Sequence, residues 1–347
     1  MLGDEMSAVT RRSVSAGLAA SFAVHGARAD LAALEAAARA EGTVTWYVAQ
    51  MSGEAAEAMG RRFTKRYPGV SVSVIRTTGQ VAFERLQQEL KNKTPTCDVF
   101  SSTDISQYPA LLKRNALARY EPVNAAELAL PYRGLGEKGF YYPTTGSLQI
   151  LIYRTSSVTG ADIPRRCTDL LDPKFRHRVA IAHPAFSGYF GQWVLAMRRQ
   201  YGWSFFEKLA ANNPRIGRSG NDPITMLNAG ECVVGTGPAS TSTVTAARGN
   251  PIGIIYPDDG TVVTVGPSAV VADAPHPNAA RLFMEWLLSR DYADACREWS
   301  LEPVRADAEP LPGIKRISEI KTISLTAAEI AAELPEAIEQ WRDTFGN

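Results

Sequence analysis

TVTWYVAQMSGEAAEAMGRRFTKRYPGVSVSVIRTTGQVAFERLQQELKNKTPTCDVFS, residues 43–101, decides how the rest of the chain is read. Its opening, TVTWYVA, has the β-branched and aromatic content of a strand. Across residues 52–67, Ala56, Met59, Phe63 and Tyr67 recur at helical spacing, which predicts an amphipathic helix stopped by Pro68-Gly69. VSVSVIR then alternates as a half-buried strand. Residues 80–93 return to helical spacing with Phe83, Leu86 and Leu90 inward, and CDVFSS is a short buried strand. Such a β-α-β-α-β succession calls for a mostly parallel sheet covered by helices on both faces. In sheets of this kind, ligands bind beyond the carboxyl ends of the strands, where the chain turns into helix N-termini.

Outward from this stretch the theme continues. LAALEAAARAEG precedes it as a helix ending at Gly42. Downstream, FYYPTTGSLQILIY reads as two strand pieces joined by a turn, RVAIAHP as a strand and GYFGQWVLAMRRQY as a helix. ECVVGTG is a strand entering a helix that ends near Gly249, PIGIIYPDDG is a strand running into a turn, and residues 275–299 and 325–345 are helical by period. No solenoid repeat or low-complexity linker interrupts them. A chain of 347 residues has room for two cores, and a two-domain α/β protein is expected, with crossings near residues 142–147 and 256–264.

The N-terminus carries a different signal. Thr10-Arg11-Arg12-Ser13 precedes the small, weakly apolar run VSAGLAASFAV, and Ala27-Arg28-Ala29 has the small-x-small form that a signal peptidase cuts. Residues 1–29 therefore read as a twin-arginine signal peptide, which predicts export to the periplasm; an Ala-rich first helix is the alternative. The full chain has 37 basic and 36 acidic residues, and losing residues 1–29 brings the net charge to zero. Nothing in that balance points to nucleic acid or a membrane surface, and no stretch approaches the ~18 apolar residues of a membrane span, so no stable membrane insertion is expected. Cys97, Cys167, Cys232 and Cys296 lie far apart without a C-x-x-C pair, which argues against a zinc or thioredoxin-type site. An even count in an oxidising compartment permits disulfides, and buried free thiols are the other reading.

Taken in order, several of these segments resemble bacterial periplasmic solute-binding proteins of the ferric-iron-binding type, which serve ABC importers. The resemblance rests on TVTWYVAQMSGEAAEAMGRRFTKRYPGVSV, the TTG loop, PTCDVFSSTD, LLDPKFRHRVAIAHPAFSGYFGQWV, LNAGECVVGTGPAS, GNPIGIIYPDDGT and VVADAPHPNAARLFMEWLLS. It implies a type II periplasmic-binding-protein fold: two α/β lobes, each a mostly parallel sheet flanked by helices, with the ligand cleft between them. On that plan residues 30–143 and 262–305 form lobe 1, 144–261 form lobe 2, and 306–347 are C-terminal helices packing on the lobes. The implied partners are a small-molecule solute and the permease subunits of an importer. The protein is expected to act as a monomer without a cofactor.

The cleft residues follow from four loops that end in helix starts and hold small polar side chains. They are Gln50-Met51-Ser52-Gly53, Thr77-Thr78-Gly79-Gln80, Ser187-Gly188-Tyr189 and GTGPASTST at 235–243. Free N–H groups and the positive end of the helix dipole favour an anion there, and hydroxyls add donors; ordinary N-capping is the competing role. The candidate contacts are Ser52, Thr78, Ser187, Gly188, Tyr189, Ser240 and Thr241, with Asn221 and Asp222 next and Arg76 and Arg218 as possible counter-charges. In the ferric relatives a tyrosine pair, a histidine and a glutamate hold Fe(III). The resemblance sets Ala239 and Ser240, Met51, and Thr103 at those places, which removes the hard anionic donors. Asp104, one residue further on, cannot replace them alone. GTGPASTST thus reads as a neutral hydrogen-bonding wall, and a ferric-ion or ferric-chelate binder becomes the alternative.

Other chemistry is poorly supported. No G-x-S-x-G elbow, H-E-x-x-H pair or Walker loop occurs, which argues against an enzyme built on this framework. His25, His177, His183 and His276 have no ligand spacing; His183, before Pro184, is either a cleft contact or a cap. Asp258-Asp259-Gly260 reads as a turn, and Trp46, Trp193 and Trp286 as core. A sensory ligand-binding protein that docks to a receptor remains a further alternative.

Overall fold

The computed structural model describes residues 30–346, so the export signal read over residues 1–29 lies outside the described residues. A helix over residues 30–41 (α1) ends at Gly42, whose φ of +78° belongs to the left-handed region that glycine adopts without strain. The alternation read from residues 43–101 follows as β1 (Thr43–Val48), α2 (Gly53–Arg66), β2 (Ser71–Arg76), α3 (Gly79–Asn92) and β3 (Val99–Ser101). β1 pairs in parallel with both β2 and β3. α2 buries Ala56, Met59 and Phe63 as its period requires, and the Phe63 ring stands edge-on to Phe283 at 4.9 Å.

Beyond α4 (Gln107–Lys113) the chain enters β4 (Tyr141–Arg154), β5 (Val179–Ala182), α5 (Gly188–Tyr201), α6 (Ser204–Ala211) and β6 (Arg215–Gly217). Next come α7 (Asp222–Ala229), β7 (Val234–Pro238), α8 (Ala239–Ala247), β8 (Ile252–Ile255) and β9 (Thr261–Val270). The last elements are α9 (Pro277–Leu287), α10 (Arg290–Glu298), β10 (Thr322–Ile323) and α11 (Ala327–Phe345). The strand order is β2-β1-β3-β9-β4-β7-β5-β6, with β8 added on β4 and β10 on β9.

β4 and β9 set the architecture. They run antiparallel from Tyr141↔Ala269 to Gln149↔Val262. The parallel group β2-β1-β3 attaches to the carboxyl end of β9 through Phe100↔Ala269. The parallel group β7-β5-β6 attaches to the carboxyl end of β4 through Gln149↔Pro238. One antiparallel ribbon thus carries an α/β lobe at each end, as the two-lobed reading requires, and both parallel groups aim their carboxyl ends at the gap between.

Two expectations are corrected. FYYPTTGSLQILIY, apart from Phe140, lies in one 14-residue strand, Tyr141–Arg154, rather than two pieces and a turn; its register shifts between Pro143 and Thr145, because Pro143 has no N–H for the ladder and the extra residue is absorbed as a bulge. Residues 306–347 hold, among the described residues, a single α-helix, α11, preceded by a 3₁₀ turn (Ile317–Glu319) and the short β10. α11 packs on α5 and α6 and also touches α4. Trp46, Trp193 and Trp286 are fully buried, and all four cysteines are buried free thiols. Asp258-Asp259-Gly260 forms a turn, in which Asp259 is anchored by the Cys167 N–H at 2.8 Å and the Tyr201 hydroxyl at 2.6 Å. Among the described residues no helix is long and apolar enough to cross a membrane.

Candidate functional site

The gap is walled by the loops that leave the parallel strands. After β1, Gln50 is buried and fully engaged: its amide nitrogen donates to Pro267 O at 2.6 Å and its oxygen accepts from the Thr144 hydroxyl at 3.3 Å. Ser52 caps α2 by accepting the Ala55 N–H at 3.2 Å, and Thr78 caps α3 by accepting that of Val81 at 3.4 Å. After β3, Asp104 accepts from the backbone N–H of Ser106 at 3.0 Å and from its hydroxyl at 2.6 Å, which tightens the entry to α4.

On the opposite wall, His183 is buried against Phe186 and Trp341, and its Nδ1 accepts the Ala185 N–H at 3.1 Å. Ser187 caps α5 through the Phe190 N–H at 3.3 Å. Gly188 then meets the first wall. A Cβ built there would stand 3.3 Å from Thr103 O, so the start of α5 is pressed against the loop between β3 and α4. The lobes are in contact. Tyr189 follows; burial pushes its phenol well above the usual range, and the nearby Thr145 hydroxyl on β4 offsets this in part.

Asp222 closes the turn before α7 by accepting the N–H groups of Arg218 at 2.8 Å and Ser219 at 2.9 Å. Asn221 is exposed and its side chain makes no capping bond. The Arg218 guanidinium covers the exposed Phe186 ring at 4.7 Å, and Arg76 donates to Met51 O at 3.0 Å. At α8 the N-cap is Pro238, which has no side chain to cap with. Ser240 and Thr241 lie half-buried in the first turn, and neither hydroxyl bonds to a described residue. Ser242 instead turns back to Pro238 O at 2.8 Å.

Of the residues expected from sequence, Ser52, Thr78 and Ser187 are therefore helix caps and Asp222 anchors a turn. Gly188 meets the loop between β3 and α4, the Tyr189 phenol lies at the Thr145 hydroxyl, and the hydroxyls of Ser240 and Thr241 make no hydrogen bond among the described residues.

Sequence reasoning missed a second set where β4 crosses the gap. Tyr132 reaches over Gly146, where a Cβ would come within 2.5 Å of its hydroxyl. That hydroxyl and the Ser147 Oγ are buried without a hydrogen-bond partner among the described residues. Beside them, the Glu302 backbone accepts the Gly146 N–H at 2.9 Å. The Glu302 side chain is 6% exposed, with no hydrogen bond or cation reaching its carboxylate among the described residues. Burial alone pushes that carboxyl up to about 7. Burial likewise raises the Tyr132 phenol, and Glu302 and Tyr189 add to the effect. Nothing in the local sequence marks Glu302, because its isolation arises only when the C-terminal segment meets β4.

The chain matches, over residues 94–324, the family model described as bacterial extracellular solute-binding protein. It belongs to this family. It is a binding protein, with a small molecule as its ligand, rather than an enzyme. Solved structures carry the same fold. AfuA of Actinobacillus pleuropneumoniae, solved with fructose-6-phosphate, is 20% identical and superposes with a TM-score of 0.76 over 88% of this chain and 99% of that one. Iron-bound HitA of Pseudomonas aeruginosa is 22% identical, with a TM-score of 0.75 over 87% and 99%. An uncharacterised protein of Haemophilus influenzae is 23% identical over 244 residues, 68% of this chain and 70% of that one. Among the described residues of this solute-binding protein, no group of three or more His, Cys, Asp or Glu side chains is placed to hold a metal ion.

Proposed function

We propose that the protein is the periplasmic capture component of an ABC importer, closing its lobes over a small anionic or polar solute such as a phosphonate, phosphate ester or carboxylate. The observation that carries this reading is the close approach of Gly188 to Thr103 O, from which an added Cβ would stand 3.3 Å, a helix start of one lobe meeting a loop of the other. A solute touching both walls favours the closed state by the difference in its affinity for closed and open forms. The ligand-reading groups are Gly188, Tyr189, Ser240 and Thr241, with Asn221 at the rim. Ser52, Thr78, Ser187 and Asp222 shape the walls by fixing helix starts. Lobe 1 comprises residues 30–143 and 262–305 and lobe 2 residues 144–261, the monomer is the acting unit, and the twin-arginine segment directs export.

Iron fits this reading poorly, although HitA carries it. Met51 and Ala239 are buried and offer no oxygen side chain, and Thr103 and Ser240 offer neutral hydroxyls where Fe(III) needs hard anionic donors. The test is a thermal-shift screen of the three solute classes beside ferric citrate, repeated on Gly188→Val. A stabilising solute is expected, with its effect abolished in the variant because the added methyls meet Thr103 before the lobes can close. Stabilisation by ferric citrate alone, or full binding by Gly188→Val, would overturn the reading.

A further inference from the structure

Glu302 is a largely buried residue whose carboxylate has no hydrogen-bond or ion-pair partner among the described residues. Removing a charge from water costs several kcal/mol unless a partner compensates. The groups that face Glu302 supply no compensation. Tyr132, on the 3₁₀ turn Leu130–Tyr132, Tyr256, just beyond β8, and Cys296, on α10, each feel its charge, and each is an acid. Burial raises all three above their ordinary ranges, Cys296 to about 12, so they stay neutral at physiological pH. Two arginines on the gap loops are engaged elsewhere, Arg76 on Met51 O and Arg218 on the Phe186 face.

The position of Glu302 matters as much as its isolation. It is fastened by its backbone to Gly146, on the strand that joins the lobes. Its neighbour Tyr132 is also within electrostatic reach of Tyr189, at the start of α5. The carboxylate therefore belongs to the back of the same gap, beside two hydroxyls, Tyr132 and Ser147, that also lack partners. At the front, the start of α5 presents free N–H groups and a positive dipole end. One end of the site suits an anion and the other suits a cation.

We infer that Glu302 is a ligand-recognising residue and that the solute is a zwitterion whose ammonium group pairs with it while its anionic group faces the start of α5. This rests on the solute-capture reading and narrows it. An ammonium ion supplies the charge that Glu302 lacks and leaves N–H donors for the neighbouring hydroxyl oxygens. A solute with only an anionic group would bring a like charge towards a buried carboxylate. On binding near neutral pH, the ammonium holds Glu302 ionised, so a fraction of a proton is released.

Three matched pairs, each differing in one amino group, test this by calorimetry: 2-aminoethylphosphonate with ethylphosphonate, glucosamine 6-phosphate with glucose 6-phosphate, and β-alanine with propionate. In at least one pair the amino member is expected to bind at least tenfold more tightly at pH 8. That advantage should shrink as pH falls below about 7 and vanish in Glu302→Gln, a near-isosteric change. Wild-type binding at pH 7 should release protons, seen as a heat that depends on the buffer, and the Glu302→Gln protein should lose that release. Equal or tighter binding by the members without an amino group would overturn the zwitterion inference and leave solute capture standing. Silence from all six probes, with other phosphonates, phosphate esters and carboxylates also inert, would remove the solute-capture reading itself.

Discussion

Polar side chains of the same kinds behave in opposite ways in two regions of this molecule. At the starts of α2, α3 and α5, the Ser52, Thr78 and Ser187 oxygens each accept a backbone N–H of their own helix. At the start of α8 and along the β4 crossing, Ser240, Thr241, Tyr132, Ser147 and Glu302 have no such partner among the described residues. The difference is positional. An N-cap hydroxyl lies beside the orphan N–H groups of the first turn, whereas Ser240 and Thr241 stand one and two residues past the start of α8, where Pro238 occupies the cap. Hydroxyls at helix starts are therefore not equivalent candidates for binding.

The largest effect that would sharpen this contrast comes from Glu302. Its carboxyl is raised from the usual 4.5 to about 7 in the folded state, so the protonated form stabilises the fold. That contribution is complete below pH 4.5 and is lost as pH rises through about 7. The shift corresponds to about 3 kcal/mol. Solute-free protein should melt at a lower temperature at pH 8 than at pH 5 by this group's share, and Glu302→Gln should flatten the slope. An unchanged slope in the variant would place the carboxylate in a compensated environment.

Next in size are the unpartnered hydroxyls of α8. Ser240→Ala and Thr241→Ala should each weaken binding of a charged solute by about 1.5–3 kcal/mol, roughly ten- to hundredfold in dissociation constant. Their solute-free melting temperatures should stay near that of the wild type. Calorimetry with and without solute reads both numbers. A lowered melting point with unchanged affinity would make these residues structural after all and erase the contrast.

The smallest effects belong to the capping group. Ser52→Ala and Thr78→Ala should each cost about 1 kcal/mol of stability, seen in urea unfolding, with solute affinity unchanged. Loss of affinity in either would bring the first lobe's caps into the site.

The fold was open to sequence reasoning wherever a signal was local. Helical spacing in α2 and alternation in β2 each need only a dozen neighbouring residues, and the order of the elements followed from them. PTTG misled because Pro and Gly mark turns and bulges alike, and only pairing with β9 distinguishes the two. The residue types of the gap were equally visible at Ser52, Thr78, Ser187 and Ser240, but whether a hydroxyl caps or stays free depends on its exact offset from the first helical residue. Tyr132 and Glu302 were beyond reach: they gain their character from meeting Gly146, which for Glu302 is a contact between segments far apart in the chain.

The placement of α11 carries a mechanical consequence. Arg198 and Arg199 of α5 grip Glu329, Glu333 and Glu336 through ion pairs of 2.5–2.8 Å, and α11 also touches α4, the helix that follows β3. If the lobes open as the solute-capture reading requires, the ion pairs tie the helix to α5, and the seam with α4 is expected to part. On that reading the seam is a latch. Tightening or loosening it shifts the resting balance between open and shut forms, and the apparent affinity for every solute moves by the same factor. Evolution could thus retune how readily this protein lets go of its cargo without altering a single residue that touches it.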